Sequence, residues 1–102
     1  YRMSAEIADW LNAHAERNGI DSVRLVGIRP NGIAVVDAPG TDAETHRARL
    51  AERWENVALI ERSDVWSHKG VEYDGVVVDT AGLSAHEVYL AASRAAHELV
   101  IV

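Results

Sequence analysis

The sequence contains no cysteine. A disulfide framework and a thiolate metal site are therefore excluded, and the composition favours a cytoplasmic protein. No apolar run is long enough to cross a bilayer, and no basic segment leads into an apolar one at the start of the chain. From these absences we expect a protein with neither a membrane span nor a secretion signal.

Positive charge is also scarce. Ten Lys and Arg residues face sixteen Asp and Glu residues, which gives a formal net charge of −6. A module that binds nucleic acid through its own electrostatic field is expected to be basic, and this chain is acidic. The composition therefore predicts weak binding of nucleic acid by this chain alone.

A metal site is not expected. The histidines show no ligand spacing such as HxxxH, and there is no cysteine to complete a ligand set. These histidines are His14, His46, His68, His86 and His97.

The sequence has no G-x-x-x-x-G-K-[ST] loop, and no acidic pair follows an apolar strand in the Walker B manner. The chain therefore cannot hold Mg-ATP by itself.

At 102 residues the chain is large enough for one domain with a single core. Because it begins at Tyr1 rather than at an initiator methionine, we expect it to be a piece of a longer protein.

The pattern that is present predicts an α/β fold with a mostly parallel sheet flanked by helices. Apolar runs at residues 57–60, 75–78 and 99–102 are typical of buried parallel strands. Ser4 precedes a helical apolar pattern that continues to about Arg17, in which Trp10 is predicted to pack in the core. A capping box at residues 84–87 predicts the last helix, and its buried stripe is Val88, Ala91, Ala92, Ala95 and Leu99.

The other segments give weaker signals. Residues 23–28 and 33–36 predict two short strands, which can pair as a hairpin at the sheet edge because Pro30 and Asn31-Gly32 favour a turn. A capping box at residues 41–44 predicts a helix with Ala43, Leu50, Ala51 and Trp54 facing inward. Residues 63–67 are compatible with a further strand.

Three short motifs resemble one family. Lys69-Gly70-Val71-Glu72-Tyr73-Asp74 resembles the KGLEFD loop of UvrD/Rep-type superfamily 1 helicases. The segment Tyr89-Leu90-Ala91-Ala92-Ser93-Arg94-Ala95 looks like the YVALTRA helix of that family, and residues 1–7 resemble its YR(T/S)PxEI segment with Ser4 in place of the usual proline. The motifs stand in the family's order.

The resemblance implies that residues 1–102 form one RecA-like 2A domain, the second motor domain of a P-loop NTPase. The resemblance covers nearly the whole chain, from the first motif to the final strand, whereas residues 23–55 are generic. About sixty residues separate the first motif from Lys69, which leaves no room for a large 2B insertion. The chain therefore resembles the shorter helicase IV-like branch.

The resemblance also implies roles for particular residues. Arg94 and Arg2 correspond to arginines that contact the ATP γ-phosphate, and a permanently charged guanidinium suits phosphoryl transfer. Tyr1 corresponds to a tyrosine that stacks on adenine, and Gly70 and Glu72 lie in the loop that faces the nucleotide. From spacing alone, a surface residue or a dipole partner near a helix C-terminus is the better explanation of Arg94, and only the resemblance reverses this. The alternative for Tyr1 and Arg2 is a frayed terminus.

The contact with a nucleic-acid strand departs from the family's pattern. Asp64 and Trp66 occupy positions where Thr and His usually help to hold the single strand. An aspartate repels phosphate, whereas Trp66 can stack on a base beside Lys69 or can pack in the protein. Asp79 ends an apolar strand, where it can serve a site or can cap the following turn.

Three functions remain open at this stage. The chain can be half of an ATP-driven translocase on single-stranded DNA, or the same motor half in an RNA polymerase-associated ATPase, or a non-catalytic interaction module. In the first two cases the partner is an N-terminal P-loop motor domain of the same parent chain, and the ligand is ATP with Mg. The isolated domain is expected to be inactive.

Overall fold

A computed structural model describes residues 3–102. These residues form three α-helices, four β-strands and one 3₁₀ helix. In chain order the elements are α1 (Ala5–Arg17), β1 (Val36–Asp37), α2 (Ala43–Ala51), β2 (Val57–Ile60), the 3₁₀ helix (Val65–His68), β3 (Tyr73–Val78), α3 (Ala85–Ala92) and β4 (Ala95–Ile101).

The four strands form one parallel sheet in the order β1-β4-β3-β2. α1 and α3 pack on one face, where the core includes Ile7, Leu11, Val76 and Leu99. α2 packs on the other face, where Leu50 meets Val77 and Val100. The predicted α/β fold with a parallel sheet between helices is therefore confirmed.

The capping residues in the sequence correctly predicted where most of the helices begin. The Ser4 hydroxyl accepts a hydrogen bond from the Ile7 N–H at 3.3 Å, so α1 begins where its cap predicts. Trp10 is half-buried against the core, as predicted. The box formed by Ser84 and Glu87 is present at α3. The helix predicted near Thr41 is capped one residue later than expected, because the Asp42 carboxylate accepts the bond from the Thr45 N–H at 3.0 Å.

The hairpin predicted for residues 23–36 is wrong. The regular strand in this segment is Val36–Asp37, which pairs in parallel with β4. Residues 23–28 instead cross the start of α1, where the Ile28 N–H donates to the Met3 carbonyl at 3.0 Å. The side chain of Asn12 binds both the N–H and the C=O of Leu25, at 2.8 Å each, and so takes the place of a neighbouring strand.

Three smaller predictions are also wrong. Residues 63–67 contribute to a turn and the 3₁₀ helix rather than to a strand, because Asp64 O accepts bonds from both the N–H and the hydroxyl of Ser67. Ala51, predicted to face inward, is exposed. α3 ends at Ala92, so Ala95 and Leu99 belong to β4, because the Arg94 carbonyl already accepts the Tyr73 N–H across the sheet at 2.8 Å.

Within residues 3–102, no helix is both long and apolar enough to cross a membrane.

Candidate functional site

The loops that precede β3 and β4 meet at one edge of the sheet. Since parallel strands start at the same edge, the Lys69–Gly70 loop before β3 and the Ser93–Arg94 step before β4 come together there. Met3 joins them, because the Ser4 N–H donates to the Ala96 carbonyl at 2.9 Å. The topology therefore assembles segments that lie far apart in the sequence.

Two cavities open at this edge. The first, which we call the arginine cavity, has a volume of about 310 Å³. It is lined by Met3, Gly70, Val71, Glu72, Ser93, Arg94 and Ala95. The second, which we call the tryptophan cavity, has a volume of about 200 Å³. It is lined by Val65, Trp66, His68, Lys69, His86, Leu90 and Arg94. Arg94 lines both.

The backbone of Arg94 is fixed at the junction of α3 and β4. Its N–H donates to the Ala91 carbonyl at 3.1 Å, and its C=O accepts the Tyr73 N–H. Arg94 therefore follows α3 rather than lying inside it, which corrects the prediction that the helix carries it. The β3–β4 pairing begins at this point, with Tyr73 opposite Ala95, so the Arg94 backbone is held where the two strands meet.

The guanidinium of Arg94 lacks an acidic partner among residues 3–102. Nη2 donates to the Ser93 hydroxyl at 3.1 Å, and Nε is buried without a hydrogen-bond partner in the described part of the chain. By contrast, Arg47, Arg49 and Arg53 all pair with glutamates. A buried N–H without a partner costs free energy, and an anion in the cavity would remove that cost.

Glu72 is exposed on the wall of the arginine cavity and makes no side-chain hydrogen bond within residues 3–102. It forms no ion pair with Arg94. Both side chains are therefore available to a ligand, one as an acceptor and the other as a donor of hydrogen bonds.

Gly70 serves the loop through its backbone conformation. Its φ of 82° lies in the left-handed region, and the Val71 N–H closes the turn on the His68 carbonyl at 3.0 Å. A Cβ at this position would meet no atom within 4 Å. The glycine is therefore explained by the turn, which sets the direction in which Glu72 enters the cavity wall.

Trp66 is 57 % exposed, so the alternative that it packs in the core is wrong. Its Nε1–H donates to Glu87 Oε2 at 3.0 Å, while Glu87 Oε1 accepts the Ser84 N–H at 3.0 Å. The hydrogen bond from the Ser84 N–H, with a further contribution from Trp66, holds the pKa of Glu87 below its ordinary value. The charged carboxylate thus orients the indole beside Lys69, which is exposed and has no acidic partner within residues 3–102.

Asp64 stabilises the segment that leads into the Lys69–Gly70 loop. Burial alone would raise the pKa of this carboxyl, but the Glu61 N–H and His68 lower it below its ordinary value. His68 Nε2 lies 3.1 Å from Asp64 Oδ2, and His68 Nδ1 lies 2.8 Å from the Tyr73 hydroxyl. Asp64 therefore holds the 3₁₀ helix against β3 through His68.

Three other predicted positions remain, namely Asp79, Tyr1 and Arg2. Asp79 caps the turn after β3, since its Oδ1 accepts the Ala81 N–H at 3.1 Å, and it lies at the opposite edge of the sheet. Tyr1 and Arg2 lie outside the described residues. Within residues 3–102, no group of three His, Asp or Glu side chains is placed to hold a metal ion.

Some lining residues were not predicted. His86 and Leu90 stand four positions apart on α3 and so share the helix face that lines the tryptophan cavity. That spacing was visible in the sequence, but nothing in it indicated that this face would meet Trp66. Met3 belongs to the first motif, but the sequence gives no sign that its side chain lines a cavity.

No protein-family model matches this chain, and a search of curated proteins also finds no match.

Proposed function

We propose that this domain is the second wall of a composite ATP site in a helicase-like motor. In this proposal, Arg94 contacts the phosphates of ATP that is held with Mg by a P-loop domain elsewhere in a longer chain, hereafter the parent chain. The observation that carries the proposal is the guanidinium of Arg94, which lines a cavity with a buried Nε that has no partner within residues 3–102.

The chemistry of the arginine cavity supports a phosphate ligand. A guanidinium offers several N–H donors in a plane and stays charged, so it can bind two oxygens of one phosphoryl group. During phosphoryl transfer, charge spreads over the equatorial oxygens, and a cation at that point lowers the barrier. The chain's lack of a phosphate loop is consistent with supplying this cation to a site built mainly by another domain.

Glu72 supports a nucleotide rather than a simple anion. A carboxylate next to a phosphate-binding arginine is unfavourable for phosphate but can accept a hydrogen bond from a ribose hydroxyl. Glu72 lines the same cavity as Arg94 and makes no ion pair with it. The cavity therefore offers an acceptor for a ribose hydroxyl and a donor for a phosphate, and Gly70 shapes the loop that carries Glu72.

The tryptophan cavity favours a nucleic-acid strand as the substrate of the motor. An exposed indole provides a stacking surface for a base, and Lys69 beside it provides a positive charge for the backbone. Because Arg94 lines both cavities, the proposed ATP contact and the proposed strand contact share one side chain. We therefore place a DNA translocase ahead of the RNA polymerase-associated ATPase.

Replacing Arg94 in the parent chain tests the proposal. Arg94→Ala is expected to lower kcat for ATP hydrolysis by about 10³- to 10⁵-fold, the range known for arginines that act on a transferring phosphoryl group. ATP affinity should change far less, because the P-loop domain retains its own contacts. Arg47→Ala is the matched control, since this arginine lies on the exposed side of α2 and pairs with Glu44.

An Arg94→Ala variant that folds and hydrolyses ATP at the rate of the Arg47→Ala control would contradict the proposal. Thermal unfolding of both variants should be compared with wild type. This comparison separates a catalytic loss from a loss of folded protein.

A further inference from the structure

The hydroxyl of Ser93 holds the guanidinium of the residue that follows it. Arg94 Nη2 donates a hydrogen bond to Ser93 Oγ at 3.1 Å. The Ser93 hydroxyl in turn donates to the Leu90 carbonyl at 2.7 Å. Because the proton of the hydroxyl is directed at Leu90, its oxygen is left to face Arg94 as an acceptor.

The backbone on both sides of this hydrogen bond is fixed. The Ser93 N–H donates to the Tyr89 carbonyl at 3.0 Å, and its φ of −68° and ψ of −8° continue the helical conformation of α3. The Arg94 N–H donates to the Ala91 carbonyl at 3.1 Å. A short bond between two anchored residues therefore sets the direction of the guanidinium relative to the sheet.

The bond directs the guanidinium toward one of the two cavities. Arg94 lines both of them, whereas Ser93 lines the arginine cavity only. The Nη2 end of the guanidinium is therefore held on the side of the arginine cavity. With this bond made, Nε is buried without a hydrogen-bond partner within residues 3–102.

A hydroxyl can hold an arginine without neutralising it. A carboxylate in the same place would balance the charge and compete with a phosphate for the same N–H donors. Glu72 lines the arginine cavity but forms no ion pair with Arg94. A long side chain that is oriented in advance loses less conformational freedom when a ligand binds.

We propose that Ser93 is a positioning residue, whose hydroxyl holds the Arg94 guanidinium in the orientation that the transferring phosphoryl group of ATP requires. This inference rests on the proposed function of Arg94. Fixed charge lowers a barrier most when it is already aimed at the atoms on which charge develops. Ser93 acts through Arg94 and needs no contact with the nucleotide.

A purely structural role for Ser93 is the alternative. Serine hydroxyls often bond a carbonyl three or four residues earlier, and such a bond by itself does nothing for catalysis. Ser67 provides the matched control. Its hydroxyl donates to the Asp64 carbonyl at 2.7 Å, three residues earlier, but it accepts no hydrogen bond from an arginine within residues 3–102. Ser67→Ala therefore removes the same kind of carbonyl bond and leaves the Arg94 guanidinium in place.

The first measurement uses the 102-residue protein and requires no ATP. The ¹⁵N order parameter of the Arg94 Nε–H reports how firmly the guanidinium is held, and Arg94→Lys identifies the resonance. Ser93→Ala should lower this order parameter to that of a flexible group, below about 0.6. Ser93→Thr, which keeps the hydroxyl, and Ser67→Ala should retain the wild-type value. Equal values for wild type and Ser93→Ala would overturn the proposal.

The second measurement is steady-state ATP hydrolysis by the parent chain. Ser93→Ala should lower kcat by about ten- to hundredfold with little change in KM, because the reacting groups are misplaced while the P-loop domain still binds ATP. Ser93→Thr should recover most of the rate. Adding Ser93→Ala to Arg94→Ala should cause no further loss, since Ser93 acts through Arg94.

The outcomes separate this inference from the proposed function. If Arg94→Ala lowers kcat and Ser93→Ala does not, the positioning role is wrong and the proposed function stands. If neither variant lowers kcat, the proposed function is wrong, and with it the catalytic purpose of the Ser93 bond. A further loss from Ser93→Ala in the Arg94→Ala background would show that Ser93 acts by another route, which also overturns the inference.

Thermal unfolding of each variant shows whether a lost rate reflects lost folded protein. If Ser93→Ala does not fold, Ser93→Cys replaces it, because a thiol has nearly the same size and makes only weak hydrogen bonds. The same lowered order parameter and the same loss of kcat are then expected of Ser93→Cys. Wild-type values of both in a folded Ser93→Cys would overturn the proposal.

Discussion

Among single residues, Arg94 differs in its surroundings from the arginines of α2 and of the turn that follows α2. Arg47, Arg49 and Arg53 have their charges balanced by glutamates, whereas Arg94 has only the Ser93 hydroxyl within residues 3–102. A guanidinium held by a fixed backbone and lacking a counter-ion is suited to bind an anion that is present only part of the time. The proposed phosphate contact follows from this difference.

Glu72→Ala in the parent chain tests the proposed contact with the ribose. We expect ATP binding to weaken by about 1.5–3 kcal/mol, as for a hydrogen bond to a charged group, with a smaller loss for deoxy-ATP. Equilibrium titration with both nucleotides measures the difference. Equal losses for the two nucleotides would show that Glu72 does not contact the ribose hydroxyl.

Trp66→Ala in the parent chain tests the strand contact. Because Trp66 is exposed, the variant should keep its melting temperature within the range of a surface substitution. Affinity for single-stranded DNA should fall by about 1–3 kcal/mol, the usual contribution of one stacked base. A lowered melting temperature with unchanged DNA affinity would instead show a packing role.

The bond between Glu87 and Trp66 predicts a pH dependence. The pKa of Glu87 is lowered, so the stabilising contribution of its charged form is present above the ordinary glutamate pKa and is lost as pH falls through the lower, folded value. The Trp66 indole N–H resonance should therefore shift during acid titration, with a midpoint below that of an ordinary glutamate. The same resonance in Glu87→Gln should show no such midpoint.

At the scale of elements, α2 is attached to the sheet through a buried carboxylate. The Glu98 side chain on β4 is 4 % exposed, and it contacts Arg53 at 3.1 Å, Arg49 at 3.5 Å and the Trp54 Nε1–H at 2.9 Å. A buried carboxylate is tolerated only while such partners neutralise it. This group therefore fixes α2 in addition to the apolar contact of Leu50.

The cluster around Glu98 predicts that removing the arginines alone costs more stability than removing the arginines together with the Glu98 charge. The double variant Arg49→Ala/Arg53→Ala leaves Glu98 charged and buried, and it should lose about 1–3 kcal/mol of unfolding free energy in urea. Adding Glu98→Gln should restore part of that loss, because the charge disappears while an acceptor for Trp54 remains. Arg47→Ala, which breaks an exposed pair, should cost much less stability than the double variant. If the triple variant is less stable than the double variant, the buried charge is not the cause.

The elements that the sequence predicted correctly are those with local signals. Ser4 and Ser84 cap α1 and α3, and the apolar run of β2 pairs in the sheet as expected. Residues 23–28 have the composition of a strand, but Asn12 and the residues at the start of α1 bind their backbone groups in place of a neighbouring strand. No local pattern in the sequence predicts these long-range contacts. The end of α3 was misplaced because alanine has the highest helix propensity, so the two alanines that begin β4 extend the helical pattern of the sequence.

Only part of the candidate site could be predicted, because some of its contacts join segments that lie far apart in the sequence. The motifs indicated Arg94, Gly70 and Glu72, and the structure brings these three to one cavity. The bond between Trp66 and Glu87 spans 21 positions and follows no periodic pattern. It depends on how the 3₁₀ helix packs against α3, which is a property of the folded chain.

At the scale of the whole molecule, the acidic surface limits what the domain does alone. With a net charge of −6, the isolated domain should bind single-stranded DNA at or beyond the weak end of non-specific binding, about 10⁻⁴ M. It should also show no ATP hydrolysis, because its sequence has no phosphate loop. Fluorescence anisotropy at two salt concentrations measures the first property. A submicromolar, strongly salt-dependent affinity would contradict this account of the surface.

The proposed role of the Arg94 guanidinium is to act on the phosphates of ATP in the parent chain. The most direct measurement is the single-turnover rate of ATP hydrolysis by Arg94→Ala with added guanidinium, compared with an ammonium salt at equal ionic strength. Guanidinium should restore part of the lost rate, because it can occupy the cavity vacated by the side chain, whereas ammonium should restore much less. A rate that neither salt restores, or that both restore equally, would contradict the claim.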